Sequence, residues 1–229
     1  MSRAPTHDFA TIETLLAASL DSLPVFPLPN CVLLPGGLLP LHVFEPRYRA
    51  LTKDCLQGSG VMGIARLQPG YGNAATEPAI FPTLGVGQIV CSEELPDGRF
   101  MLLLRGIARV EVERELPLCC TGYRQFRCRP IVNEPAQPTA REHERHQQLI
   151  QLCDQIAPHL AEAGQQLAEL ARTPCPGFAA DAVTAAITMD PNERQRMLET
   201  TSVLTRLTMA EAALHDLLAH VNAQHGDLN

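Results

Sequence analysis

Residues 24–48 read PVFPLPNCVLLPGGLLPLHVFEPRY, and the interpretation of this stretch decides the fold. No Asp, Glu, Lys or Arg occurs between Leu23 and Phe44, a length that suits a membrane-spanning helix. Pro24, Pro27, Pro29, Pro35 and Pro40 interrupt it, and each proline in a helix interior costs about 3 kcal/mol. The stretch is therefore read as extended chain. Leu23–Leu28, Val32–Leu34 and Leu38–Phe44 are short apolar runs, with turns at Pro29-Asn30 and Gly36-Gly37. Apolar side chains on both faces of a strand call for cover on both faces, so the whole stretch is expected in the core. It ends in charge at Glu45-Pro46-Arg47-Tyr48-Arg49.

Outward from this stretch, Asp8 suits the cap of a short helix on which Phe9, Ile12, Leu15 and Leu16 share a face. Pro46 suits a first helical turn, and Gly58 suits that helix's end. Val61–Leu67 reads as a strand. Residues 68–82 hold three prolines and form a long loop carrying Tyr71, Ile80 and Phe81. Val86–Leu95 and Arg99–Leu104 form a hairpin through Pro96-Asp97-Gly98, with Gly98 in the left-handed region. Ile107–Leu116 alternates, placing Arg109, Glu111 and Glu113 on a polar face. Arg124–Ile131 is a further strand. Leu33, Leu39, Leu41, Val43, Ile64, Val90, Leu102, Leu104 and Val110 are expected in the core. Composition shifts near Pro135 and Pro138. Beyond lie helices over about 140–172, 177–188, 191–199 and 202–222, the first kinked or split by Pro158 and the third capped by Asp190. The expected fold is α+β, a barrel-like and mostly antiparallel β-rich lobe at 1–134 followed by a helical lobe at 135–229.

Several of these stretches together resemble the N-terminal domain of Lon proteases, especially its free-standing relatives. They are Leu23-Pro24-x-Phe26-Pro27-Leu28, the Pro35-Gly36-Gly37 turn, the run Leu39-Pro40-Leu41-His42 with Phe44-Glu45-Pro46-Arg47-Tyr48-Arg49, Asp97-Gly98-Arg99-Phe100, Leu103-Leu104-Arg105-Gly106 and the helical segment 192–200. The likeness spans about residues 23–215. It implies a module for substrate recognition and oligomer assembly, hence a protein or unfolded-polypeptide partner and a homo-oligomer. Glu45, Arg47 and Arg105 are the polar residues most closely tied to it. They form either a ligand-contacting cluster or architectural caps and pairs at the lobe edge.

The residues themselves exclude much chemistry. The net charge of −7, with no basic run, argues against nucleic acid or an anionic membrane as the main partner. No Gly-Lys-Ser or Gly-Lys-Thr occurs, so there is no P-loop. A Ser–Lys dyad would have to use Lys53, the one lysine, on a charged helix. Gly58-Ser59-Gly60-Val61-Met62-Gly63 matches G-x-G-x-x-G, but a helix precedes it and a strand follows, the reverse of a dinucleotide site. His143 and His146 share a helical face, too few ligands for a metal site, and are read with Glu142 and Glu144 as part of a charged, solvated face. His42 is read as a hydrogen-bonded core histidine. Eight scattered cysteines without a Cys-x-x-Cys read as free thiols in a reducing cytoplasm. The expectation is a non-enzymatic recognition protein without catalytic residues, cofactor or metal, using the lobe junction and the loop at Tyr71, Ile80 and Phe81. The alternative is a small-ligand-binding or regulatory protein, or a cryptic enzyme, that reuses the fold.

Overall fold

The computed structural model describes residues 9–70, 78–118 and 122–226. The first half is built from α1 (Phe9–Ser19), β1 (Leu23–Leu28), β2 (Leu38–Val43), α2 (Pro46–Gln57), β3 (Val61–Arg66), β4 (Thr83–Glu94), β5 (Phe100–Glu115) and β6 (Arg124–Pro130). The strand order is β2-β5-β4-β3-β1-β6, and β6 returns to pair with β5. Five strands thus close on themselves, and β2 is left over as a flange on β5. All pairings are antiparallel except β1 with β3. That parallel pair follows from the long connection through β2 and α2, since parallel neighbours need a crossover.

The proline-rich stretch is extended, as its sequence dictates, but it is not uniformly buried. Leu23, Val25 and Phe26 are interior, whereas Leu38, Pro40 and His42 on β2 face outward. The expectation of cover on both faces fails at β2, because this strand stands off the closed barrel. His42 is correspondingly exposed rather than a core histidine, and Leu39 and Leu41 are only half-buried. Val90, expected in the core, is 41% exposed because the ladder slips between Ile89 and Cys91. The other six expected core residues are buried.

Residues 31–34 cross the barrel without joining it. A Cβ at Gly85 would lie 1.9 Å from the Leu33 carbonyl oxygen, and one at Gly106 would lie 2.0 Å from that of Leu34. Only glycine admits this passage. Gly36 N–H donates to the Gly106 carbonyl and Gly106 N–H to that of Gly37, both at 2.8 Å. The signature residues Pro35, Gly36, Gly37 and Gly106 are thus one buckle. Gly106 also explains why two expected strands are one. β5 runs unbroken past it, pairing with β2 on one side of Gly106 and with β6 on the other. At the β4–β5 turn Gly98 has φ +77°, as its position after Pro96-Asp97 requires.

The second half comprises α3 (Ala140–Ile156), α4 (Ala161–Ala171), α5 (Pro176–Ile187), α6 (Pro191–Glu199) and α7 (Val203–Gly226). Pro158 splits the first expected helix in two, as its missing N–H demands. The Asp190 side chain accepts from Asn192 N–H and caps α6. Leu149, Ile156, Leu167, Val183, Leu198, Leu207 and Leu214 form the helical core, and Val32 and Leu34 from the crossing segment complete it. His146 is buried, its Nε2 2.7 Å from the Ala171 carbonyl oxygen, and Glu142 closes a capping box with Thr139. Of the solvated face expected there, His143 and Glu144 are exposed, whereas His146 and Glu142 are buried. No helix among the described residues is long and apolar enough to cross a membrane.

Candidate functional site

Among the described residues β2 pairs only with residues 100–105 of β5, and this half of β5 pairs with the outer half of β4. The three segments form a flange with two unlike sides. On the inner side Val43, Phe100, Leu102 and Leu104 pack with Tyr48, Leu51 and Cys55 of α2. The outer side presents three cross-strand rows. They are Leu38–Arg105–Gln88, Pro40–Leu103–Cys91 and His42–Met101–Glu93. Opposite residues in such rows have Cβ atoms about 5 Å apart, so the apolar members touch. Leu38 is 59% and Met101 44% exposed, and Phe44, at 60%, extends the surface past His42. Exposed apolar residues scattered singly are ordinary, but a contiguous set marks an interaction surface.

The edge of this flange is not open to another strand. Gly106, Leu104 and Leu102 lie on the side of β5 that bonds toward β2, as the Gly36 and Gly37 hydrogen bonds show. The ladder therefore bonds β5 through Leu39 and Leu41, and Pro40 lies between them with its nitrogen turned to the outer edge. That is the only placement a strand proline tolerates. It removes the middle donor of the edge, a standard protection against strand addition. Recognition here falls to the face and its side chains.

The face carries charge at its two ends. Neither the Arg105 nor the Glu93 side chain makes a hydrogen bond or ion pair among the described residues. Glu45, Arg47 and Arg105 do not form one cluster. Arg47 Nε donates to Glu45 Oε2 at 3.1 Å, and its guanidinium lies 4.6 Å from the Tyr48 ring centroid. Glu45 occupies the N-cap of α2, but its side chain makes no cap bond. Its carbonyl accepts from Tyr48 and Arg49 N–H as the first bonds of the helix.

The long loop is held at its base. Phe81 N–H donates to Arg66 O, and Gln68 N–H to Ala79 O. Ile80 packs against the barrel core, and Phe81 lies under the Arg66 guanidinium at 5.0 Å. Both are half-buried, and Tyr71 lies outside the described residues. The structure does not bring Ile80 and Phe81 to the exposed flange.

The junction of the halves holds charge that the sequence reading missed. Arg109, expected on a polar face, is 5% exposed. It donates to Asp181 of α5 and to the carbonyls of Met197, Leu198 and Thr200 at 3.0–3.1 Å. Arg206 of α7 donates to the same Asp181 oxygen at 2.5 Å, to the Gly177 carbonyl at 2.9 Å and to Asn133. Burial pushes the Arg109 guanidinium below its ordinary value, while the adjacent carboxylate opposes that and Arg206 adds to it. Arg66 bonds the Pro191 carbonyl and Asn192 at 3.0 and 2.7 Å, and Arg194 bonds the carbonyls of Thr188 and Ala185. These groups tie the helices to the barrel, with Arg66 Nε and Arg206 Nε buried without a hydrogen-bond partner among the described residues. The one usable sequence signal was arginine within otherwise apolar or α-helical surroundings.

Other motifs resolve into architecture. Gly58 to Gly63 joins α2 to β3, helix before strand. No group of three or more His, Cys, Asp or Glu able to hold a metal occurs among the described residues. A cleft of about 230 Å³ between α1, α2 and β6 is lined by Ser19, Ser22, Asp54 and Tyr123, where Tyr123 Oη donates to Asp54 at 2.7 Å. The six described cysteines are free, and Cys91 is the exposed one.

Comparison with known proteins places this architecture. Residues 22–216 match the family described as the ATP-dependent protease La (LON) substrate-binding domain. A Lon protease of Roseiflexus castenholzii is 32% identical over 196 residues, covering 82% of this chain and 23% of that protein. Lon protease 2 of Myxococcus xanthus is 26% identical over 193 residues, covering 82% and 22%. The chain thus spans about a quarter of the length of these relatives. The Lon N-terminal domain protein from Xanthomonas campestris superposes with a TM-score of 0.57 at 22% identity, covering 83% of this chain and 97% of its own. The N-terminal domain of a Mycobacterium avium complex Lon protease gives 0.65 at 17%, covering 85% and 98%. At such identities the two structures speak for the fold, and the family match carries the assignment: the chain belongs to the LON substrate-binding domain family.

Proposed function

We propose that this chain is a non-enzymatic recognition module that binds polypeptide on the outer face of β2, β5 and β4. The observation that carries the reading is the exposed set Leu38, Pro40, Phe44 and Met101, joined by half-buried Leu103, on a flange that the barrel does not need for closure. The family's description as a substrate-binding domain supports it. A face read through apolar side chains tolerates many sequences, which suits unfolded clients that must be ordered on binding. The small-ligand alternative has less support. The cleft at Asp54 is below the roughly 300–1,000 Å³ of ordinary ligand sites, and neither His, Arg nor Glu lines it.

The test is anisotropy titration of a labelled, permanently unfolded polypeptide such as carboxymethylated casein. Wild type is expected to bind in the micromolar range. A Met101→Ser/Leu103→Ser double variant is expected to bind about ten-fold more weakly, as for loss of interface anchors. A Phe81→Ala variant serves as the loop control and is expected to bind normally. No binding by wild type sinks polypeptide recognition. A loss confined to Phe81→Ala moves the site to the loop.

A further inference from the structure

We infer that the flange prefers clients in which a short apolar segment lies between an acidic and a basic residue. The inference rests on the recognition reading above and adds the charge of the client. Its basis is the order of the three rows on the outer face. Arg105 stands in the first row between Leu38 and Gln88, the middle row Pro40–Leu103–Cys91 is uncharged, and Glu93 stands in the third beside Met101. Both side chains lack an internal hydrogen-bonding or ionic partner among the described residues. Their neighbours behave otherwise. Glu94 pairs with Lys53 at 3.1 Å, Asp97 with Arg99 at 2.7 Å, and Glu45 with Arg47 at 3.1 Å. The charges next to the apolar rows are left for something outside the chain.

Successive rows on one face are two residues apart along a strand, about 6.7 Å. The first and third rows are therefore separated by about 13 Å. An extended segment covers that span in about four residues. A client carboxylate then meets the Arg105 guanidinium, which binds carboxylates through a planar two-pronged donor set. Client valine or leucine side chains cover Pro40, Leu103 and Met101, and a client ammonium meets Glu93. The missing N–H of Pro40 keeps the segment on the face rather than added at the edge, so chain direction is free and only the positions of the two charges are read. The arrangement also counters the molecule's own bias. A chain of net charge −7 attracts basic segments at long range, and Arg105 supplies the local reason to accept an acidic residue.

The test uses four blocked, labelled peptides with one apolar core, Val-Leu-Val, whose ends are Glu and Lys, Ser and Ser, Lys and Lys, or Glu and Glu. With wild type the Glu/Lys peptide is expected to bind about three- to five-fold tighter than Ser/Ser, a preference that shrinks in high salt, since exposed ion pairs each contribute little and are screened. Arg105→Glu is expected to shift the preference to Lys/Lys, and Glu93→Lys to Glu/Glu. Arg105→Gln, which removes the charge but keeps polar N–H donors, is expected to reduce the Glu/Lys preference to what the lysine–Glu93 contact alone supplies, while Ser/Ser binding stays unchanged. Equal binding of all four peptides by wild type overturns the charge preference and leaves the apolar face standing. Failure of every peptide, Ser/Ser included, while carboxymethylated casein still binds overturns the charge preference alone, and failure of casein as well overturns both readings. A ranking that ignores the two charge reversals overturns the assignment to Arg105 and Glu93.

Discussion

The flange and the junction hold the same chemistry in opposite states. At the junction, Arg109, Asp181 and Arg206 are at most 5% exposed; the two guanidiniums share one carboxylate oxygen, and each donates to backbone carbonyls of its own. On the flange, Arg105 and Glu93 sit two rows apart with apolar side chains between them. The difference lies in what surrounds each charge. Buried charge must find its partners within the chain, because leaving it unpaired costs several kcal/mol. A solvated charge carries no such obligation, so it stays available. The junction therefore reports on architecture, and the flange reports on what the protein meets.

The largest effect expected from breaking this contrast is at Asp181. Asp181→Asn keeps the shape but strands two buried guanidiniums, and a loss of about 3–5 kcal/mol is expected in urea unfolding. Arg105→Gln, the matching change on the flange, is expected within about 0.5 kcal/mol of wild type. If Asp181→Asn costs under about 1 kcal/mol, the junction is not the tie described here. An intermediate effect is expected at Pro40. Pro40→Val restores the middle donor of the β2 edge and gives strand pairing an open template. Sedimentation velocity should show concentration-dependent self-association absent from wild type, and identical sedimentation would show that the edge is protected by something else.

The smallest effects concern the thiols. Burial pushes Cys55, Cys128 and Cys153 up to about 12 from 9.0, helped by Asp54, Glu113 and Asp154 respectively. Their folded values lie above the unfolded one, so the stability they contribute is complete below pH 9 and is lost as pH rises toward about 12. The urea midpoint should decline across that window, and a flat midpoint would contradict it. At pH 8, iodoacetamide should reach Cys91 before these three. Because Cys91 lies beside Leu103, its alkylation is also a probe of the binding face.

Much of the architecture was legible because it rests on local rules. Prolines forbade a helix in 23–44, Asp190-Pro191 announced α6, and Pro96-Asp97-Gly98 announced a turn with positive φ, as found. The errors at Arg109 and at β2 have one cause. Alternation along β5 put Arg109 on a polar face and the run 38–44 put β2 inside, but alternation states which residues share a side and not which side is covered. Arg109 is buried because α5 and α6 sit on it, and Leu38 is exposed because the barrel closes without β2. The division into lobes at 134 and 135 is a proposal of the same kind. Val32 and Leu34 complete the helical core from the other half, so the two halves are expected to unfold together.

By itself, then, the sequence determined which segments are strands and helices, where they turn, and that its parts resemble a Lon N-terminal domain. Those properties depend on φ restriction, missing donors and side-chain periodicity, all of which act over a few residues. The recognition face was beyond its reach. Leu38, Leu103 and Cys91 become neighbours only through the β2-β5-β4 register, and among the described residues neither Arg105 nor Glu93 has an ionic partner on that side. Exposure is a property of what packs where, and the closure of β6 onto β5, with β2 left outside, decides it.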